Sequence, residues 1–230
     1  MGNFGYCLNT STIKGQELSL PEEIELAARA GYDGIEPWIR EMDECTQSGG
    51  SLRDLGKKCE DLGLKVVNLI GFFEWCVDDA ETRRKGLEEA KRNFEMAAEM
   101  GAKMLAAPPF GAHSEGELDL LAAAERYGDL IEMGRDFGVV PVVEFWGVSK
   151  NLSRLGEALM VTVESGKPEA RLLADVFHMW KGGSSFEGLR HVRGETLGLL
   201  HVNDYTGEKP REEQKDSDRV YPGDGVAPYR

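Results

Sequence analysis

The feature that most constrains this chain is an alternation of short apolar runs with longer stretches of helical period, repeated from end to end. The segments "FGYCLN", "GIEPW", "KVVNLIG", "KMLAAPP", "VVPVVEF", "RLLADV" and "LGLLHVND" read as strands. Helical segments separate them. "SLPEEIELAARAG" offers Ser19 as N-cap, Glu22 three positions later to complete a capping box, and Gly31 as the stop. "SLRDLGKKCEDLG" closes at Gly63. A third helix runs from about Asp79 to Met100, where Leu87, Ala90, Phe94, Ala97 and Ala98 form an i, i+3/i+4 stripe and Gly101 ends it. "LDLLAAAERYGDLIEMGRDFG" and "NLSRLGEALMVTVES" follow, then the short "SSFEGLRHV".

Strand-then-helix units of roughly 30 residues argue for a parallel sheet with crossover helices. Runs such as "KVVNLI" and "VVPVVEF" are apolar on both faces, as a sheet covered on both sides requires. A doubly wound sheet competes, but no glycine-rich phosphate loop follows the first strand. The α/β architecture expected is therefore a (β/α)8 TIM barrel carrying about seven of its units, with strand eight missing from the chain. No composition shift marks a second domain, so 1–230 is expected to form one domain. Residues 204–230, polar and rich in turn formers, are expected to be a long loop after strand seven with no further strand.

No apolar stretch approaches the ~20 residues that span a bilayer, and "MGNFGYCLNTST" lacks the basic and apolar regions of a signal peptide. Four cysteines, Cys7, Cys45, Cys59 and Cys76, form no CxxC pair and are read as reduced thiols, so the expected location is cytoplasmic. With 41 acidic and 27 basic residues the formal net charge is −14. A field of that sign opposes nucleic acid and anionic lipid, and favours a neutral or metal-held substrate.

In such barrels chemistry gathers at the C-terminal ends of the strands. Those positions are Asn9, Glu36, Asn68, Pro108, Glu144, Asp175 and His201. A lone strand-end aspartate is most often an N-cap, and a lone histidine in an apolar strand most often a core residue. Glu144, Asp175 and His201, however, fall on three consecutive strands, and all three are metal-ligand types.

Taken in order, "GYDGIEPW", "PVVEFWG", "LLADVFHMW", "LLHVNDY" and "DRVYPGDG" resemble the xylose-isomerase-like TIM-barrel superfamily of sugar isomerases and epimerases, nearest its inosose (2-keto-myo-inositol) isomerase branch. The resemblance implies a divalent-metal-dependent isomerase or epimerase of a small sugar or inosose, working by enediolate proton transfer. Glu144 would bind the metal and act as acid/base. Asp175 and His201 would be further metal ligands. His178, from the family's Asp-x-x-His motif, would contact substrate oxygen as a catalytic group. Arg219 would hold a substrate hydroxyl or carbonyl, and Glu36 would face the same substrate. The family's fourth ligand, a strand-eight glutamate, has no counterpart before Arg230. The cofactor implied is one divalent ion, Mn, Co, Mg, Zn or Fe, among which mixed N/O ligation discriminates poorly.

Trp146, Trp180, Phe72 and Trp75 are pocket-wall candidates whose alternative reading is ordinary packing. An inosose-type dehydratase would use the same residues, and a barrel lacking strand eight would suit non-catalytic sugar binding. Abasic-site nucleases share the barrel but need extra histidines on strands three and four. Here those ends read "NLIGFF" and "AAPPFG", with His113 beyond and His191 in a helix. The expected partner is a small sugar or cyclitol, with no nucleic acid or membrane. A homodimer is compatible with the sequence.

Overall fold

In the computed structural model, which describes residues 4–114 and 116–229, strands and helices alternate as the sequence predicts. In chain order they are β1 (Cys7–Asn9), α1 (Leu20–Ala30), β2 (Gly34–Glu36), α2 (Ile39–Gln47), α3 (Leu52–Asp61), β3 (Lys65–Val66) and β4 (Asn68–Leu69). There follow α4 (Ala80–Met100), β5 (Met104–Ala107), α5 (Leu120–Arg135), β6 (Val140–Glu144), α6 (Leu155–Glu164), β7 (Arg171–Asp175) and α7 (Val176–Gly182). The last are β8 (Leu197–His201), β9 (Asp204–Tyr205) and β10 (Arg219–Val220). The chain divides into two compact units. One takes residues to Phe72 with Glu88–Ala106 and Glu132–Pro141; the other takes Phe73–Leu87, Ala107–Ile131 and the chain from Val142 on.

In the first unit β1, β2 and β3 are parallel, with Asn9 beside Glu36 and Ile35 beside Val66. The expected third strand is split. Val67 N–H still donates to Ile35 C=O at 3.0 Å, whereas Asn68 and Leu69 pair with Met104 and Leu105 of β5. One apolar run thus serves two neighbours in turn. Helix α1 begins as predicted, with Glu22 Oε2 accepting from Ser19 N–H at 2.8 Å, and it ends at Gly31, whose φ of 83° costs a glycine nothing. Helix α2 escapes the periodicity because it buries only Ile39 and Met42. Ile24, Ala27, Ile35, Met42, Leu69, Phe94 and Leu105 are all fully buried in this unit's core.

The second unit carries β7, β8 and β6 from Val142 on, again parallel. Tyr127 is fully buried and closes its hydroxyl on one residue of β7, accepting from Arg171 N–H at 3.0 Å and donating to Arg171 C=O at 2.9 Å. Two expectations need correction here. Helix α7 starts directly after β7, because Asp175 caps it, and "SSFEGLRHV" holds only a 3-10 turn over Phe186–His191. The stretch after β8 is not free of strands: β9 and β10 form an antiparallel ladder with Arg219 opposite Tyr205 and Val220 opposite Asp204. Two-residue strands leave no alternation to read in a sequence.

Among the described residues no helix is long and apolar enough to cross a membrane, and Cys7, Cys45, Cys59 and Cys76 are all free thiols.

Glu23 of α1 is 3% exposed and its Oε2 has no hydrogen-bond partner. Burial, and next the charge of Glu41, push its pKa up to about 7, against a weaker pull from Arg40. The folded state therefore holds a proton that the unfolded chain has already lost, so stability falls as pH rises from the ordinary glutamate range to about 7. Glu23→Gln is expected to flatten that fall and to raise Tm at about pH 8 by roughly 2–4 °C in thermal melts. An unchanged pH dependence would contradict this.

Candidate functional site

Glu144, Asp175 and His201 end three successive parallel strands, and register decides where their side chains point. Asp175 pairs with His201, and Glu144 pairs with Leu173, two residues before Asp175. Paired residues in parallel strands share a face, and so do residues two apart on one strand. The three side chains therefore share one face of the second unit's sheet. Glu144 is 6% exposed, Asp175 2%, and the His201 side chain 17%.

Asp175 organises this face. Its Oδ1 caps α7 by accepting from His178 N–H at 2.8 Å, which leaves Oδ2 free for other work. Oδ2 accepts from Arg219 Nη1 at 2.7 Å and Asn203 Nδ2 at 2.9 Å, with His201 Nδ1 at 3.7 Å. Burial works to raise the Asp175 pKa, but the Arg219 guanidinium, followed by the two histidines, holds it well below the usual carboxylate range.

Arg219 is itself fixed from four sides. Besides Asp175 it bonds Asp216 Oδ1 through Nη2 at 2.7 Å, lies over the Phe177 ring at 4.6 Å from its centroid, and brings Nη2 within 3.2 Å of His178 Nε2. Arginine has no acceptor, so His178 Nε2 accepts and the ring proton resides on Nδ1, which is buried without a partner. Burial first, opposed by Asp175 and aided by Arg219, lowers the His178 pKa to about 4. The imidazole is therefore neutral at neutral pH and turned toward Arg219, at 5% exposure.

Glu36 lies in the first unit with its own partners. At 1% exposure it accepts from Asn9 Nδ2 at 2.6 Å and Asn68 Nδ2 at 2.8 Å, while Asn68 Oδ1 is buried without a partner. Those two asparagines were strand-end positions without a role in the sequence. Of the aromatic candidates, Trp75 is core, fully buried with Nε1 donating to Pro108 C=O at 2.7 Å. Trp180 stacks on Tyr205 at 4.1 Å, Trp146 meets His113 edge-on, and Phe72 meets Trp38 edge-on.

Asn203, Asp204 and Asp216 were not found from the sequence. Asn203 had a signal, being two residues beyond His201 and so on the same face if the strand's extended conformation persists. Asp216 lies inside a charged loop and had none.

Among the described residues, no group of three or more His, Cys, Asp and Glu side chains is gathered closely enough to hold a metal ion. The donor set fits such an ion by chemistry. Two carboxylates and an imidazole share one face, and a cation, the Arg219 guanidinium, already sits on Asp175 Oδ2.

A parallel strand–helix succession with acidic and imidazole side chains at its strand ends defines an α/β protein whose polar groups gather at those ends. Residues 24–230 match the family model described as xylose isomerase-like TIM barrel, and the chain belongs to that family and has its fold. Its relatives include an inosose isomerase of Bacillus velezensis, 27% identical over 96% of this chain and 79% of the relative. A 3-dehydroshikimate dehydratase of Pseudomonas aeruginosa is 28% identical over 81% of this chain, but over only 29% of its own length. Both relatives are named as enzymes. Among solved structures, the IolI protein, described with a bound zinc atom, superposes with a TM-score of 0.88 over 97% of this chain and 81% of its own, at 23% identity.

The Asp175–Arg219 pair generates a stability prediction. Removing one partner of a buried pair strands the other charge, so Arg219→Met should cost roughly 3 kcal/mol in urea unfolding. Adding Asp175→Asn should return most of that loss. A double variant no more stable than Arg219→Met would refute the pairing.

Proposed function

We propose that the protein is a divalent-metal-dependent isomerase or epimerase of a small polyhydroxy ketone, with an inosose as the preferred substrate class. The observation that carries this reading is the alignment of Glu144, Asp175 and His201 on one face, with Arg219 held at the centre of that face by Asp175. The likeness to inosose isomerases over nearly the whole chain supports the substrate class.

Glu144, Asp175 and His201 would hold the ion, whose Lewis acidity lowers the pKa of the C–H beside a bound carbonyl. Glu144 removes or returns that proton on its own face of the substrate, through an enediolate. Arg219 donates to the substrate carbonyl or hydroxyl oxygen and holds it alike in the bound substrate and in the transition state. His178, neutral and hydrogen-bonded to Arg219, supports that donation, and we propose that it contacts the same oxygen. Glu36, already binding two amides, is proposed to accept from a substrate hydroxyl. We place the enzyme in cytoplasmic carbohydrate metabolism, a location supported by its free thiols. We also propose a single TIM-barrel domain.

Dehydration of the same substrate is a second reading, supported by the likeness to 3-dehydroshikimate dehydratase. It begins with the same proton abstraction and then expels water. Incubating the protein with Mn²⁺ and 2-keto-myo-inositol in D2O separates the readings. Loss of the proton signal beside the carbonyl, slowed about 100-fold or more in Glu144→Gln, is the isomerase result. Growth of an enone absorbance is the dehydratase result. Exchange unaffected by Glu144→Gln would overturn the role given to Glu144.

A further inference from the structure

The "YPGDG" motif near the chain end, legible in the sequence only as a turn, has a partner in the structure. Asp204 is 1% exposed, and its carboxylate gathers four backbone N–H groups. Oδ1 accepts from Tyr205 and Ala227, both at 2.8 Å, and Oδ2 from Gly223 and Gly225, both at 3.1 Å. An ionised carboxylate has about four lone-pair sites, so these bonds exhaust it. It has no capacity left to hold a metal or take a proton from a substrate.

The glycines belong to this arrangement. A Cβ on Gly225 would lie 2.4 Å from Asp204 Oδ1 and 2.3 Å from Tyr205 C=O, and Gly223 has a φ of 95°. The carboxylate therefore ties residues 223–227 back onto residue 204. Between those ends runs β10, with Val220 opposite Asp204 and Arg219 opposite Tyr205. The folded segment is seated on α7, where Tyr205 joins Val176 and Phe177 in one apolar cluster with Trp180, Phe186 and Ala227 packed against it. Asp175 caps that same helix, so the backbone that carries Arg219 and the carboxylate that receives it are fixed to one element.

We propose that Asp204 is a positioning residue for Arg219. By anchoring the segment 204–227, it fixes where the guanidinium stands over Asp175 and hence over the substrate oxygen. Its effect on the substrate rests on the role proposed for Arg219.

The test uses two variants and two readouts. In ¹⁵N-labelled protein the Arg219 Nε–H, bonded to Asp216 Oδ1 at 3.1 Å, should give a protected NMR cross-peak. That peak should vanish in Asp204→Ala and return in part in Asp204→Asn, which keeps one acceptor oxygen. Gly225→Ala, which drives a methyl into the carboxylate, should remove the peak as well, and it serves where Asp204→Ala fails to fold. In the deuterium-exchange assay with 2-keto-myo-inositol, Asp204→Asn should raise KM about tenfold while kcat changes less than about twofold. A protected Arg219 signal and an unchanged KM in these variants, with the amides of Gly223 and Gly225 exchanging freely, would overturn the proposal. A wild-type protein that exchanges no substrate proton would refute the enzymatic reading instead, and the NMR result would still decide the positioning role.

Discussion

One buried carboxylate sets the geometry of the second unit. Asp175 is almost fully removed from water, and a charge in that position must be paired and hydrogen-bonded to be tolerated. It meets the requirement in three directions at once. One oxygen starts α7; the other draws in Arg219 from β10 and Asn203 from beyond β8. The end of a strand, the start of a helix and a distant segment are thereby fixed to a single group, with His201 alongside.

Two aspartates in this unit illustrate how environment, not residue type, decides function. Asp204 spends every lone pair on backbone N–H groups, so it acts as a scaffold. Asp175 spends one oxygen on a helix cap and receives Arg219 and Asn203 with the other. Both are buried and both titrate below the usual carboxylate range, for different reasons: in Asp204 burial is outweighed by backbone amides, in Asp175 chiefly by a guanidinium. Exchanging their roles would require rebuilding the segments around them.

The strand ends were legible in the sequence because a parallel α/β chain advertises its strands as apolar runs and its helices by period. Asn9, Glu36, Glu144, Asp175 and His201 all close the strands on which they were expected. What escaped notice was local or long-range. Helix α7 was hidden because its cap, Asp175, read as a ligand candidate, and a seven-residue helix offers too few turns for periodicity. The β9–β10 ladder was hidden because its register is enforced by Asp204 and the apolar seat on α7, neither of which leaves a repeating pattern. His178 shows the same limit: its spacing from Asp175 was plain, but its dependence on Arg219 is a contact across 41 positions.

In the proposed function, Asp175 is the carboxylate that receives both a divalent cation and the Arg219 guanidinium. Calorimetric titration of Zn²⁺ into the metal-free protein and into Asp175→Asn tests it most directly. One binding site is expected in the parent protein, weakened about 100-fold or more in the variant. Equal affinity for Zn²⁺ in both proteins would contradict it.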